Sequence, residues 1–190
     1  MLLSPGFPSA FTRDGVTIRI WELSDAPALA AALSRSYRHM RPFVYWVTRD
    51  VSAARAARRI AEWRARYESG LDLQFGVFVG GQLLGGAGFQ RCFGADRRRA
   101  ELSMWVAADF AGQGWGTLAA ELLVEWGFSE WGFELLVAAH DADNAASRRV
   151  VEKLGFVRSD SANQVVPRRH GVVEWRLPKA RWENRHSVVA

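Results

Sequence analysis

The most informative segment of the chain is Ala111-Gly112-Gln113-Gly114-Trp115-Gly116-Thr117. It follows an alternating run that predicts a strand over residues 100–106, and it precedes an apolar run that predicts a helix over residues 117–128. Glycines at alternate positions allow a tight turn that aims several backbone N–H groups in one direction. Because a helix N-terminus follows directly, the segment predicts a binding site for an anion such as a pyrophosphate.

Two other phosphate-binding motifs do not fit this glycine segment. Its spacing differs from the dinucleotide fingerprint G-x-G-x-x-G, and the strands predicted before it form an antiparallel run. The segment also lacks the Lys-Ser/Thr ending of a P-loop. The alternative to an anion site is a plain strand-to-helix turn that is rich in glycine.

The second informative segment is Asn144-Ala145-Ala146-Ser147-Arg148-Arg149-Val150-Val151-Glu152-Lys153-Leu154-Gly155-Phe156. It begins with a favourable N-cap residue and ends with a glycine in the position of a C-terminal cap, so it predicts a helix. Residues 135–139 before it are all apolar, which is typical of a strand covered on both faces.

The rest of the chain completes a mixed α/β order. Strands are predicted over residues 16–21, 74–79, 83–89, 156–157 and 172–177, with a Gly-Gly turn at 80–81. One helix is predicted from Ser24 or Asp25 to about residue 37, and a second from Ser52 with one apolar face made of Ala56, Ile60, Trp63 and Tyr67. Residues 41–46, RPFVYW, predict an aromatic loop between these helices.

Together, the two informative segments resemble the acetyl-CoA-binding core of the GCN5-related N-acetyltransferase (GNAT) superfamily. The string Asn-x-x-Ser-x-Arg-x-x-Glu-Lys-x-Gly-Phe is closest to the RimJ/RimL-like branch, which acetylates the amino termini of ribosomal proteins. The resemblance extends through residues 100–106 and more loosely to 41–46 and 180–182. It implies a single-domain α/β acyl-CoA N-acyltransferase fold over residues 1–190, with its core at about 16–182 and a tail at 183–190. The implied sheet is mixed and mostly antiparallel, with a parallel pair that splays apart at the cofactor site.

The resemblance also implies acetyl-CoA as cosubstrate and no metal. The N–H groups of the glycine segment would hold the pyrophosphate, and an N–H of Trp105 or Val106 would polarise the thioester carbonyl. Family members often carry Arg or Gln where this chain has Ala111, so one phosphate contact is missing and Gln113 is a candidate substitute. The implied cofactor set is Trp105, Val106, Ala111, Gly112, Gln113, Gly114, Trp115, Gly116, Thr117, Asn144, Ser147 and Arg149.

Two side chains are candidate catalytic residues. By resemblance, Glu101 is the glutamate that deprotonates the incoming ammonium through a water, and the alternative is a surface carboxylate paired with nearby arginines. Many family members protonate the departing thiolate with a tyrosine at the position of Val151. In the branch that this chain resembles, the serine at Ser147 takes that role, and the alternative is a serine that satisfies its own helix. Asn144 binds the pantetheine arm, caps the helix, or does both.

The acceptor side is predicted between the first two helices. There the resemblance places Phe43, Tyr45 and Trp46 at the lip of the substrate pocket, and the alternative is that they belong to the core. His140 and His39 are further acid–base candidates, although lone histidines are more often structural. The single cysteine, Cys92, is predicted to be an inert packed thiol, and it excludes an internal disulfide and a Cys-based zinc site.

Composition and charge limit the functional classes. A chain of 190 residues with 49% hydrophobic residues suits one folded domain and excludes a disordered one. The formal net charge of +5 first suggests nucleic acid, but the arginines divide among several segments, so direct nucleic-acid binding is not expected. The chain has neither an apolar run of about 18 residues nor a signal-peptide pattern, so we expect a cytoplasmic protein without a membrane span.

The predicted function is direct transfer of an acetyl group from acetyl-CoA to a primary amine in a ternary complex. The amine belongs either to a protein N-terminus or to a small molecule. One open alternative is an acetyltransferase that detoxifies an antibiotic or an aminoacyl nucleotide. Another is a CoA-binding or ribosome-associated module with weak catalysis or none, and a homodimer is also left open.

Overall fold

The computed structural model describes residues 9–69, 72–90, 98–159 and 171–186. Within these ranges the strands are β1 (Ala10–Arg13), β2 (Val16–Ile20), β3 (Leu73–Val79), β4 (Gln82–Gln90), β5 (Arg99–Val106), β6 (Leu135–Asp141), β7 (Val157–Arg158) and β8 (Val172–Pro178). The α-helices are α1 (Ala26–Met40), α2 (Ala53–Glu68), α3 (Trp115–Ser129), α4 (Ala145–Lys153) and α5 (Lys179–His186).

The strands form one eight-stranded sheet in the order β1-β2-β3-β4-β5-β6-β8-β7. Only β5 and β6 run parallel, with residues 99–102 against 135–138, and the other neighbouring pairs are antiparallel. The pairing of β5 with β6 stops there, although β5 continues to Val106 and β6 to Asp141. A gap therefore opens between the carboxyl ends of the two strands. The predicted mixed sheet with a splayed parallel pair is confirmed.

The helices cover the two faces of this sheet. On one face, α3, α4 and α5 pack into a cluster that includes Leu122, Trp126, Val151, Leu154 and Trp182. On the other face, α1 and α2 form a second cluster around Trp21, Leu33 and Ile60. Burial of such apolar side chains contributes about 25 cal/mol per Å², so the two clusters hold the helices on the sheet. Among the described residues, no helix has the length and apolar character that a membrane span requires.

The structure adds two elements that the sequence analysis does not predict. Strand β1 is a four-residue edge strand with a half-exposed pattern, which gives almost no periodic signal. Helix α5 is highly charged, and residues 183–186 of the expected tail belong to it. The remaining tail residues, 187–190, and Cys92 lie outside the described residues.

The predicted caps of α1 and α2 differ in outcome. The Ser52 hydroxyl accepts a hydrogen bond from the Arg55 N–H at 3.2 Å, so the cap of α2 is confirmed. Asp25 precedes α1 but makes no side-chain cap to it. Its buried carboxylate instead accepts the Glu22 N–H and both guanidinium arms of Arg19, at 2.8 and 2.7 Å. This pairing raises the pKa of Arg19 and joins β2 to the residue that directly precedes α1.

Candidate functional site

The glycine segment adopts a backbone that its glycines make possible. A single 3-10 turn, Ala108–Phe110, follows β5, and the chain then passes through Gly112 with φ of +74° and Gly114 with φ of +88°. Gly114 is the N-cap of α3. A Cβ at either glycine would meet nothing within 4 Å. The requirement for glycine is therefore conformational, and the space above both residues is open.

Backbone donors are concentrated in this open space. The N–H groups of Thr117 and Leu118 donate to the Gly114 carbonyl at 3.0 and 3.2 Å. Within the described part of the chain, the N–H groups of residues 112–116 have no hydrogen-bond acceptor. Free N–H groups at the N-terminus of a fifteen-residue helix bind anions, because the helix dipole favours negative charge there.

Gly116 and Gln113 have structural roles beside these donors. A Cβ on Gly116 would lie 3.2 Å from Val106 Cγ2 and 3.7 Å from Met104 Cε, so this glycine lets α3 approach β5 closely. The side-chain amide of Gln113 donates to the Asp109 carbonyl at 2.9 Å and so closes the turn. Gln113 would have to leave that bond to replace a phosphate contact at Ala111.

The direction of the β5 backbone distinguishes the two N–H groups that are expected to polarise the thioester carbonyl. The Ala107 N–H donates to the Leu84 carbonyl of β4 at 2.8 Å. Because N–H groups alternate in direction along a strand, the Trp105 N–H also faces β4, whereas the Val106 N–H faces the β6 side. Pairing with β6 has already ended at Leu102. Of the two candidates, the Val106 N–H is therefore the one that faces the gap.

Helix α4 presents Asn144 and Ser147 on the other side of the gap. The Asn144 Oδ1 accepts the Ser147 N–H at 3.1 Å, so Asn144 is the N-cap of α4, and its NH₂ group donates to no acceptor among the described residues. Ser147 is half-buried and lies one turn before the buried Val151, on the helix face that packs towards the sheet. Arg149 is exposed on the same helix.

Glu101 lies on the opposite face of the sheet from α4. Its neighbour Ala100 is buried in the cluster beneath α3, and Leu102 packs against that cluster. Because side chains alternate along a strand, Glu101, Ser103 and Trp105 point towards the layer of α1 and α2. The two candidate acid–base groups, Glu101 and Ser147, therefore lie on the two faces between which the gap opens.

An open cleft of about 410 Å³ lies on the Glu101 face, between α2 and the sheet. Its wall contains all three expected substrate residues, and Tyr45 and Trp46 are 53% and 38% exposed, so they form a lip and not core. The Trp46 ring meets those of Trp63 and Trp105 edge-on, at centroid distances of 6.4 and 6.5 Å. The lining residues are Phe43, Val44, Tyr45, Trp46, Arg59, Glu62, Trp63, Arg66, Asp72, Gln74, Gly86, Gln90, Ser103, Met104 and Trp105.

One contact that the sequence does not predict joins this lip to β6. The Tyr45 hydroxyl donates to Asp141 Oδ2 at 2.8 Å, although the two residues are 96 positions apart. Trp46 rests on β5 through Trp105, so the loop between α1 and α2 reaches both strands that border the gap. The sequence offers for this contact only a carboxylate two residues after the apolar run 135–139.

The two candidate histidines, His140 and His39, lie away from the gap. His140 is buried, its Nδ1 hydrogen-bonds the Asp141 carbonyl at 2.8 Å, and its ring stacks on Trp175 of β8 at 6.0 Å. The ring is therefore turned away from β5. His39 is exposed on α1. Among the residues that the structure describes, no group of three or more His, Cys, Asp or Glu side chains could hold a metal ion.

Comparison with known proteins matches residues 16–157 to the family model described as "Acetyltransferase (GNAT) domain". The Bacillus subtilis (strain 168) protein named "Putative ribosomal N-acetyltransferase YdaF" is 27% identical over 172 residues, which are 88% of this chain and 93% of that protein. A solved structure described as "Probable acetyltransferase" is 25% identical with a TM-score of 0.80, covering 91% of this chain and 98% of its own.

A further similar structure is that of RimL, described as a ribosomal L7/L12 alpha-N-protein acetyltransferase in complex with coenzyme A. It has a TM-score of 0.78, covers 92% of this chain and 98% of its own, and is 16% identical. At that identity the likeness concerns the fold alone.

Proposed function

The chain belongs to the GNAT acetyltransferase family, and on that premise we propose that it transfers the acetyl group of acetyl-CoA to the α-amine of a protein N-terminus. The observation that carries the proposal is the parting of β5 from β6 beside a segment of unused backbone donors. The protein acceptor is supported by the Bacillus subtilis relative, whose name describes a ribosomal N-acetyltransferase.

The residues around the gap fit the parts of acetyl-CoA. The unused N–H groups of residues 112–116 and the N-terminus of α3 suit the pyrophosphate, with the exposed Arg149 available to the phosphate charges. The free NH₂ group of Asn144 can donate to a carbonyl of the pantetheine arm while Oδ1 stays on the helix cap. The cosubstrate supplies an acetyl group activated as a thioester.

The Val106 N–H polarises the acetyl carbonyl in this proposal. It is fixed by the strand and faces the gap, so no reorganisation is needed when negative charge develops on the oxygen. A preorganised donor of this kind contributes on the order of a hundredfold or more to the rate.

Glu101 and Ser147 move the two protons of the reaction. An ammonium must lose a proton before its nitrogen can attack, and Glu101 accepts that proton through a water on the cleft side. As the C–S bond breaks, Ser147 delivers a proton to the departing thiolate from the α4 side, and the second proton of the attacking nitrogen restores the Ser147 hydroxyl. The placement of these groups on two faces supports direct transfer, because the amine and the cofactor then approach the gap from different sides.

The test combines thiol release with mass spectrometry. Purified protein is given acetyl-CoA and peptides with a free N-terminus, with N-terminally blocked copies and small amines as controls. We expect one thiol released per peptide acetylated, with the acetyl group on the α-nitrogen. Acetylation of small amines alone would overturn the protein acceptor, and no acetyl-CoA binding at about millimolar concentration would overturn the enzyme.

A further inference from the structure

The excess positive charge of the chain is concentrated in the segment that contains the lip of the cleft. Residues 38–59 contain six arginines and a single carboxylate, Asp50, whereas the formal net charge of the whole chain is +5. The rest of the chain is therefore balanced between acids and bases. These six arginines are called the basic lip below, and they are Arg38, Arg41, Arg49, Arg55, Arg58 and Arg59.

The fold gathers these residues at the end of α1, in the loop and in the first half of α2. On α2, helical geometry places Arg55, Arg58 and Arg59 within an arc of about 100°, on the side away from the buried Ala56 and Ile60. Arg59 itself lines the cleft. From the sequence alone the arginines divide among several segments, and those of α2 are not joined to the arginines before Ser52.

The basic lip lacks the internal partners that other arginines have. Arg13 pairs with Glu125, Arg35 with Asp109, and Arg66 with Asp72. By contrast, within the described ranges no member of the basic lip forms an ion pair with a carboxylate, and all except Arg59 are exposed. Uncompensated like charges repel one another, so this surface favours an anionic partner.

Two of these arginines are already oriented by aromatic rings. The guanidinium of Arg59 lies 4.7 Å from the Trp46 centroid, and that of Arg49 lies 5.7 Å from the Tyr37 centroid. A guanidinium stacked on a ring keeps its N–H edge free for a carboxylate, and its side chain loses less entropy on binding.

We propose that the basic lip binds acidic side chains that follow the N-terminal residue of the acceptor, so that the substrate of this enzyme is an acidic polypeptide. The inference rests on the proposed function, because an N-terminus seated in the cleft brings the residues after it to the rim where the arginines lie. A polypeptide fits better than single-stranded nucleic acid, which binds through open aromatic faces. Here the guanidinium of Arg59 already lies over the Trp46 ring, and that ring also packs against Trp63 and Trp105.

The test measures binding without turnover. Fluorescent peptides with a blocked N-terminus carry either Glu or Gln after the second position, and their affinity is measured by anisotropy without acetyl-CoA. Arg58→Gln is compared with Arg158→Gln, because the exposed Arg158 pairs in register with Trp175 and so lies on the other face of the sheet.

We expect wild type to prefer the Glu peptide, and Arg58→Gln to weaken that binding about twofold to fivefold while Arg158→Gln leaves it unchanged. The preference should also shrink with salt, because the Debye length falls from about 10 Å at 0.1 M to about 3 Å at 1 M. With free N-termini and acetyl-CoA, the KM of the acidic acceptor should rise in Arg58→Gln while the KM of acetyl-CoA stays constant.

Three results would overturn the inference. One is equal binding of the Glu and Gln peptides to wild type, and a second is equal loss in Arg58→Gln and Arg158→Gln. The third is tighter binding of a single-stranded RNA oligomer than of the Glu peptide, with loss of that binding in Arg58→Gln. Binding of the Glu peptide without any acetyl transfer would instead overturn the proposed function and leave the docking surface in place.

Discussion

At Ser147 the backbone N–H and the side chain make different contacts. Its N–H is held by Asn144, and its side chain shares a helix face with Val151. Val151, at the position where the family resemblance implies a catalytic tyrosine in many members, is buried in the core. The helix cap does not need the Ser147 hydroxyl, so the cap is compatible with the proposed role of that hydroxyl as proton donor.

Ser147→Ala should lower kcat by about a hundredfold, because general acid catalysis contributes that much or more. The affinity for acetyl-CoA should change by less than about threefold, since the loss of one neutral hydrogen bond is modest. Turnover and calorimetric titration provide the two numbers. Equal losses of turnover and affinity would assign the serine to structure and not to catalysis.

Gly116→Ala should weaken acetyl-CoA binding, because its Cβ would press on Val106 and shift the N-terminus of α3 from β5. The expected loss is about tenfold in affinity, or about 1.4 kcal/mol, which lies within the cost of about 1–3 kcal/mol that overpacking typically has. Ser129→Ala serves as a control, because Ser129 is exposed at the C-terminal end of the same helix, away from the glycine segment. Unchanged affinity in Gly116→Ala would show that the close approach of α3 to β5 is not required.

At the level of single residues, local preferences along the chain predict helix caps but not the direction of a backbone donor. Asn144 is correctly expected to cap a helix, since the N-cap preference is local. The choice between Trp105 and Val106 needs the register of β5 with β4, which only the folded sheet provides.

At the level of elements, the loop between α1 and α2 connects the open cleft with strands β5 and β6. Tyr45 binds Asp141 of β6, and Trp46 packs on Trp105 of β5. Inside the loop, the N–H groups of Phe43 and Val44 donate to the Met40 carbonyl, so their exchange with solvent reports on its opening.

Tyr45→Phe should speed amide exchange of Phe43 and Val44 about threefold to tenfold, because it removes one hydrogen bond to a carboxylate. Tyr67→Phe is a matched control, since that hydroxyl lies on α2 and burial raises its pKa. Exchange at the wild-type rate in Tyr45→Phe would mean that the loop is held without Asp141.

The pattern of strands and helices could be predicted because apolar periodicity and capping act over short distances. The parallel pairing of β5 with β6 came from the family resemblance, since no local pattern separates it from an antiparallel pair. The contact of Tyr45 with Asp141 could not be predicted. It depends on how distant elements pack, and no spacing along the chain encodes that.

At the level of the whole molecule, the ion pair of Arg19 with Asp25 joins the sheet to the layer of α1 and α2. Asp25 is 8% exposed, and three donors converge on it. Asp25→Ala should lower the free energy of unfolding by about 2–4 kcal/mol, because it leaves Arg19 partly buried without its partner. Urea denaturation measures this, with Asp50→Ala as the exposed control, and equal midpoints for the two variants would contradict the role of the pair.

In the proposed function, acetyl-CoA occupies the gap between β5 and β6, with its pyrophosphate on the N–H groups of residues 112–116. Amide hydrogen exchange with and without saturating acetyl-CoA tests it directly, because those N–H groups have no acceptor within the described chain until the cosubstrate provides one. We predict slower exchange, by about tenfold or more, over residues 112–116 and at Val106. Unchanged exchange in these residues at saturation would contradict the account.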